Sequence, residues 1–321
     1  MNIDYLVSIV IPTFNRANLI SETLDSVLAQ DYTNWECIVV DDGSVDHTEA
    51  LLTSYCKKDS RFKYIKRPKD RPQGGNAARN FGFEHSKGEF VQWFDDDDIM
   101  EENYLSERLA VFTKEKKIVI CSGYSTDENL NIINEIILKT DVNLYKEYAL
   151  WKFEIYTPSI LFRRVFLENK PFNETIIRGQ ETELFTRFFF LLNPKDYIVI
   201  NTPLFYYRSH TKSKTETSQK YNKVYKENLF FISKSNFDRA LELEDLDLIY
   251  FYYKLLIKQF FRSVDNTHNS NAQKIIKFLI KRLNNKNLFL KLKLMLFSRI
   301  YLLLKKGNIL KKHLRNHKIS I

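Results

Sequence analysis

The chain has 321 residues, of which 44% are hydrophobic, so it is long and apolar enough to bury the core of one large domain with an appendage, and a disordered protein is excluded. The formal net charge is +9, but 14 lysines and arginines and no acidic residue lie in 271–321, which leaves the rest of the chain at −5. No run of about 18 uncharged apolar residues predicts a membrane-spanning helix, and the short acidic segment 1–6 is not expected to be a signal peptide.

Predicted strands and helices alternate through the first third of the chain. An apolar run at 7–11 stops at Pro12, and apolar residues then recur at helical spacing between Ile20 and Leu28. The alternation continues with strands at 35–40, 62–66 and 89–94 and with helices that end near 57 and cover about 75–86. This order predicts parallel βαβ units in a doubly wound α/β sheet.

The remainder is less regular and ends in long helical patterns. Between 99 and 215 we predict helices at 102–115 and 180–192 and strands at 117–122 and 157–162. From about 220 the patterns are helical and rich in Leu, Ile, Phe, Tyr and Lys, and the polar stretch 211–220 predicts a domain boundary.

Four consecutive aspartates, Asp95 to Asp98, follow the apolar strand that ends at Phe94. Because like charges this close repel, a compensating cation is expected, and oxygen ligands suit Mg²⁺ or Mn²⁺. Ligand sites in open α/β sheets lie at the carboxyl ends of strands. The alternative is a solvated acidic turn.

Two further polar segments, 12–16 and 41–44, also follow predicted strands and should converge with the aspartates at one edge of the sheet. Gly43 suits a tight turn and Ser44 suits a helix cap, although Asp-Asp-Gly-Ser is also an ordinary turn. Glycines at 74–75 open the next helix, where Arg79 can pair with an anion. Their spacing matches neither a Rossmann dinucleotide site nor a P-loop.

Four segments follow one another in the first hundred residues: 7–16 (VSIVIPTFNR), 38–46 (IVVDDGSVD), 76–82 (NAARNFG) and 87–99 (KGEFVQWFDDDDI). In this order and at these intervals they resemble glycosyltransferase family 2, the large inverting family with the GT-A fold. The resemblance covers about 6–215. It implies a GT-A nucleotide-sugar-binding domain at 1–215 with a mostly parallel central sheet, divided into a nucleotide-binding part at about 1–98 and an acceptor part at about 99–215. A helical, C-terminally basic region follows at 216–321.

The resemblance also implies roles for individual residues. Those expected to bind the nucleotide are Pro12, Thr13, Phe14, Arg16, Asp42 and Arg79, with Asp95 and Asp96 contacting the ribose or the ion. The expected ligands of Mn²⁺ or Mg²⁺ are Asp97, Asp95 and His210, and Asp98 is expected to support the turn. A lone His such as His210 is also common as a hydrogen-bonded surface residue.

Inverting transfer further needs a base for the acceptor hydroxyl, while a metal neutralises the departing diphosphate. Family members carry an Asp behind a Gly at the start of a helix, and residues 178–184 match that pattern with Glu181 at the position of the base. Glu is one methylene longer than Asp, so its carboxylate reaches about 1 to 1.5 Å further, and it can still act as a base. The alternative is an acid favoured by the helix dipole, and Glu183 is the second candidate for the base.

The basic C-terminal stretch mixes apolar and cationic residues. Leu288, Leu292, Leu296 and Leu303 recur near helical spacing among Lys291, Lys293, Arg299, Lys305 and Lys306. This pattern predicts helices that lie on an anionic membrane surface. Packing against the catalytic domain or a twin subunit competes with that interpretation, and nucleic-acid binding is disfavoured because no binding module is recognisable.

The expected function is therefore transfer of a sugar from a nucleotide-diphosphate sugar, with UDP favoured, to a hydroxyl of a glycan or lipid-linked glycan. One alternative is a non-catalytic nucleotide-sugar or glycan binding protein that retains the fold. The feature that favours it is Glu181, which stands where the family has an Asp as the base. The other is a sugar nucleotidyltransferase, which would need a glycine-rich loop with an activating Lys or Arg near the first strand. Residues 15–18 do not form such a loop, so this alternative is disfavoured. Three cysteines without metal spacing predict reduced thiols. We expect a cytoplasmic protein, peripheral at the inner face of the cell membrane and able to form a homo-oligomer.

Overall fold

The computed structural model describes residues 5–139, 142–209, 220–305, 308–317 and 319. The chain divides into two compact units. The first comprises Met1–Leu144, Trp151–Ile176 and Arg187–Ser213, and the second comprises Tyr145–Leu150, Ile177–Thr186 and Lys214–Ile321. Most of the polar stretch 211–220, where the sequence predicts a boundary, lies outside the described residues.

In the described part of the chain, nine strands form one mixed sheet. They are β1 (Val7–Thr13), β2 (Trp35–Asp41), β3 (Phe62–Lys66), β4 (Phe90–Trp93), β5 (Ile99–Met100), β6 (Ile118–Thr126), β7 (Ile132–Ile136), β8 (Ile160–Arg163) and β9 (Tyr197–Arg208). The order is β3-β2-β1-β4-β8-β6-β9-β5, and β7 pairs with β6. The first four strands are mutually parallel, whereas β8 runs antiparallel to both β4 and β6. The predicted α/β sheet is thus confirmed.

Five helices of the first unit pack on the strands, namely α1 (Ile20–Leu28), α2 (Thr48–Lys58), α3 (Gly75–His85), α4 (Tyr104–Ala110) and α6 (Arg164–Leu167). Two more helices, α5 (Leu144–Ala149) and α7 (Gln180–Phe189), lie largely in segments of the second unit. The packing of α3 on the sheet depends on Gly82, because a Cβ there would lie 2.4 Å from Val10 Cγ1 and 2.9 Å from Val40 Cγ2. A glycine at this position lets the helix approach β1 and β2 closely.

The second unit contains five further helices in its described part, which confirms the predicted helical C-terminal region. They are α8 (Lys223–Glu242), α9 (Leu246–Asp265), α10 (Asn269–Arg282), α11 (Leu288–Leu304) and α12 (Asn308–Arg315). The Asn222 and Asp245 side chains cap α8 and α9 by accepting from the third N–H of each helix. Leu256, Phe260 and Ile275 are fully buried in the core of this unit.

Several element boundaries differ from the sequence prediction for local reasons. The helix predicted at 180–192 ends at Phe189, because the next N–H groups close tighter turns: Leu191 donates to the Phe188 carbonyl at 2.9 Å and Leu192 to the Phe189 carbonyl at 3.2 Å. The strand predicted at 157–162 begins at Ile160, because Thr157–Ser159 form a 3₁₀ turn with Pro158 in its first turn. All three cysteines are free thiols. Across the described residues, no helix has both the length and the apolar character needed to span a membrane.

Candidate active site

The loops after β1 and β2 are tied together at the carboxyl edge of the parallel strands. The Asn15 backbone N–H donates to Ser44 Oγ at 2.9 Å, and Asn15 Oδ1 accepts from the Val45 N–H at 2.9 Å. The Asp42 N–H donates to the Thr13 carbonyl at 2.8 Å. Asn15 has a left-handed φ of 54°, a conformation that Asn tolerates better than most residues. We call this edge, formed by residues 12–16, 41–44, 67 and 95–98, the rim.

Pro12, Thr13 and Phe14 lie where β1 leaves the sheet. Pro12 and Thr13 pair in register with Val40 and Asp41 of β2, and Thr13 is buried. Phe14 follows directly and is 45% exposed. The rim therefore presents an aromatic ring to solvent beside the strand end, a surface on which a planar ligand can stack.

The two aspartates that end β2 differ in their contacts. Asp41 is buried, and its carboxylate accepts from the N–H groups of Gly43 and Ser44 and from the Tyr64 hydroxyl, at 3.0, 2.7 and 2.8 Å. Asp41 thus stabilises the turn. The Asp42 carboxylate instead accepts from the guanidinium of Arg67, the first residue after β3. Asp42 and Arg67 form a charged pair at the rim.

Arginines also pair with the first three members of the aspartate run. Arg79 of α3 donates to Asp95 at 2.5 Å. Arg16 lies 3.6 Å from Asp96 and 3.4 Å from Asp97, with its own side chain 28% exposed. The convergence expected from the parallel strands thus places cationic and anionic side chains from four loops at one edge.

Asp96 lies in the least favourable electrostatic environment of the run. Burial, together with the neighbouring Asp97 carboxylate, raises the pKa of Asp96 to about 7, although Arg16 opposes the shift. The cause is that a carboxylate loses solvation when buried and repels a like charge beside it. A cation bound near Asp96 and Asp97 would relieve that repulsion.

Asp98 has a different environment from the other three aspartates. Its side chain is fully buried, and its Oδ1 accepts from the Arg208 N–H at the end of β9 at 2.9 Å. Its carbonyl oxygen accepts from the Thr23 hydroxyl of α1 at 2.8 Å. Asp98 therefore connects the acidic turn to β9 and α1.

Glu181 and Glu183 lie in the first turn of α7, within the second unit. Glu181 is half-buried and Glu183 is buried. The preceding turn is fixed by Asn228 of α8, whose Oδ1 accepts from the Ile177 N–H at 3.0 Å and the Arg178 N–H at 3.2 Å. Gly179 has a φ of 76°, which explains a glycine at the helix start. The base role of Glu181 stays a prediction.

Sequence reasoning missed three asparagines that hold the segment before α7. Asn76 Nδ2 donates to the carbonyls of Asn173 and Ile176, at 2.8 and 3.1 Å, and Asn80 exchanges hydrogen bonds with the Phe172 backbone at 3.0 and 2.8 Å. Asn228 holds the next two residues of the same segment. These partners are distant in sequence, so the chain offers no local signal for them. Arg67, in contrast, follows a parallel strand, and the position after such a strand is a signal for a rim residue.

The rim offers only part of a metal site. Within the described residues, no group of three or more His, Cys, Asp or Glu side chains is arranged to hold a metal ion. Asp95, Asp96 and Asp97 nevertheless supply carboxylate oxygens, the donor type with which Mg²⁺ and Mn²⁺ bind when substrate phosphates complete the shell. The donor chemistry therefore fits such an ion. His210, the third expected ligand, lies outside the described residues.

Solved structures share the fold of this chain. Staphylococcus aureus TarS 1–349, in complex with UDP-GlcNAc, aligns with a TM-score of 0.68 at 17% identity and covers 96% of this chain and 89% of that one. At this identity the likeness concerns the fold alone, and it confirms the predicted GT-A type of domain.

Curated relatives and a family model match the sequence itself. The putative glycosyltransferase EpsH of Bacillus subtilis is 30% identical over 67% of this chain and 64% of that protein. The UDP-Glc:alpha-D-GlcNAc-diphosphoundecaprenol beta-1,3-glucosyltransferase WfgD of Escherichia coli is 32% identical over 44% of this chain and 55% of that protein. The chain thus spans less than two thirds of these relatives. The model described as Glycosyl transferase family 2 matches residues 8–170, half of the chain. With its rim segments inside that match, the chain belongs to glycosyl transferase family 2.

Proposed function

We propose that this protein is an inverting glycosyltransferase that moves a sugar from a UDP-sugar to a hydroxyl of a glycan carried on a lipid diphosphate. The observation that carries the proposal is the rim, where Arg67 pairs with Asp42, Arg16 lies beside Asp96 and Asp97, and Arg79 pairs with Asp95. A nucleoside diphosphate has a planar base, a ribose and a polyanion. The rim offers an exposed ring, carboxylates and guanidinium groups that suit these three parts.

Uracil is the base that we assign to this rim. The carboxylate of Asp42 accepts hydrogen bonds, so it suits a base with a ring N–H, which uracil, thymine and guanine have and cytosine and adenine lack. Phe14 supplies the exposed ring beside it. The UDP-GlcNAc bound to TarS and the UDP-Glc in the name of the E. coli relative support the same choice. Arg16 and Arg79 are then the cations nearest to the aspartates, where the diphosphate is expected.

A divalent ion would be held by Asp97, with Asp95 and Asp96 beside it and His210 as a further ligand. When bound, Mn²⁺ or Mg²⁺ supplies charge neutralisation for the departing diphosphate. The residues of the chain would orient the donor. Asp95 and Asp96 would bind the ribose or the ion, and Arg79, which pairs with Asp95, would keep a positive charge beside them. Asp98 keeps the turn in place through β9.

Glu181 is proposed as the base that takes the proton from the acceptor hydroxyl. The acceptor oxygen attacks the anomeric carbon as the bond to the diphosphate breaks, so the configuration inverts and one proton passes to the base. The turn fixed by Asn228 and Gly179 holds the helix that carries Glu181. The lipid-linked acceptor is supported by the diphosphoundecaprenol substrate in the name of the E. coli relative.

The test incubates the purified protein and Mn²⁺ with UDP-, GDP- and dTDP-sugars and measures nucleotide release with and without an undecaprenyl-diphosphate glycan. We expect release from a UDP-sugar that the acceptor stimulates. Binding of UDP without any turnover would instead support the non-catalytic alternative that Glu181 leaves open.

The variant Glu181→Gln separates catalysis from binding. Loss of the base should lower turnover by about 10²-fold or more, while the affinity for UDP stays unchanged in calorimetry. Glu183→Gln is the matched variant, two residues further along the same helix. Unchanged turnover in Glu181→Gln with a loss in Glu183→Gln would move the base to Glu183.

A further inference from the structure

The outward face of α11 is apolar although it is exposed. The inward face is buried and carries Leu290, Leu294, Ser298 and Tyr301. The opposite face carries Leu288, Phe289, Leu292, Met295, Leu296 and Leu303, whose exposed fractions run from 41% to 83%. A surface helix ordinarily turns polar residues to solvent, and a contiguous exposed apolar face marks an interaction surface. We call these six residues the α11 face.

Cationic side chains border the α11 face on both sides. At 100° per residue, Lys291 and Lys293 fall on opposite edges of the apolar stripe and Arg299 falls within it. Lys293 Nζ lies 4.3 Å from the centroid of the Phe289 ring. No acidic residue occurs in 271–321. The α11 face is therefore an exposed apolar stripe with positively charged side chains along its edges.

We propose that the α11 face docks on an anionic lipid surface. The apolar side chains enter the boundary between headgroups and acyl chains, and Lys291, Lys293 and Arg299 lie at the level of the phosphates. A second copy of the chain is a poorer occupant, because face-to-face pairing brings these cations together with no acid in 271–321 to neutralise them. The α11 face belongs to the second unit, so this inference does not depend on the donor site.

The experiment sediments the full-length protein with phosphatidylcholine vesicles, with or without about one third phosphatidylglycerol. Wild type should sediment with the anionic vesicles and remain in the supernatant with the neutral ones. The double variant Leu292→Glu and Leu296→Glu should bind at least about tenfold more weakly, and Lys291→Gln with Lys293→Gln should lose the preference for anionic lipid. The matched control is Ile137→Glu, which charges an equally apolar, exposed position of the first unit and should bind as wild type.

Circular dichroism and sedimentation velocity accompany the binding data. All variants should keep the helical content of wild type, because the substituted side chains are exposed or lie at the edge of the exposed face. Equal binding by wild type and the leucine variant would overturn the inference. So would a wild-type dimer that the leucine variant dissociates, if neither protein binds vesicles, because the face would then be an interface between copies.

Discussion

The carboxylates of Asp97 and Asp98 are adjacent in sequence but contact different parts of the molecule. Asp97 faces Arg16 at the rim, whereas Asp98 is buried against the Arg208 N–H. Asp97→Asn should lower turnover by about 10²-fold. It should not lower the free energy of unfolding, because relief of the repulsion with Asp96 offsets the lost contact with Arg16. Asp98→Ala should cost about 1 to 3 kcal/mol of stability, because a buried N–H loses its acceptor. Steady-state kinetics and urea denaturation distinguish the two, and equal effects would make the run a generic acidic patch.

Asp96 gives the stability of the protein a pH dependence in the absence of donor and metal. Its pKa is about 7 in the folded chain, against about 3.9 when unfolded. Between these values the folded state keeps a proton that the unfolded state has released, so the free energy of unfolding falls as the pH rises. Asp96→Asn removes this titration. Urea denaturation from pH 5 to pH 8 should therefore show the variant gaining stability over wild type, and a constant difference would contradict the assignment.

Among the elements, α3 carries Arg79 to the rim and depends on close packing against β1 and β2. In an exposed helix, Gly→Ala usually stabilises by about 1 kcal/mol. Gly82→Ala should do the opposite, because its Cβ would meet Val10 and Val40 inside van der Waals distance. We expect a loss of about 1 to 3 kcal/mol and a weaker affinity for UDP as Arg79 shifts. Thermal unfolding and calorimetry check both effects, and a raised unfolding midpoint would refute this packing.

The parallel elements were predictable from sequence, and the contacts between distant segments were not. Apolar runs that alternate with helical patterns predicted β1 to β4. Because the carboxyl ends of parallel strands lie at one edge of a sheet, the sequence also predicted that Asp42 and the aspartate run meet at that edge. Asn76 and Asn80 hydrogen-bond to the backbone of 172–176, about a hundred residues further along the chain. The sequence around an Asn in a helix does not indicate which distant backbone group its side chain will contact. The same holds for Asn228, which fixes the turn before Glu181.

At the scale of the whole molecule, the second unit draws on segments far apart in sequence. Lys146 of α5 pairs with Asp245 and Asp247 at 2.8 Å, and the Tyr252 hydroxyl donates to the Ala149 carbonyl at 2.7 Å. The C-terminal helices also supply its core, including Ile275. Removing 271–321 would expose that core, so the point variants of the α11 face test lipid binding more cleanly than a truncation does.

Ligand binding should report on the rim through the stability of the whole protein. A ligand that binds only the folded state stabilises it by RT ln(1 + [L]/Kd), about 2.7 kcal/mol at a hundred times Kd. UDP with Mn²⁺ should therefore raise the midpoint of thermal unfolding more than UDP with EDTA, because the ion relieves the repulsion between Asp96 and Asp97. GDP should raise it less than UDP. Asp97→Asn should lose the increment due to Mn²⁺ and keep the response to UDP alone, whereas an identical Mn²⁺ increment in wild type and variant would exclude Asp97 as the ligand.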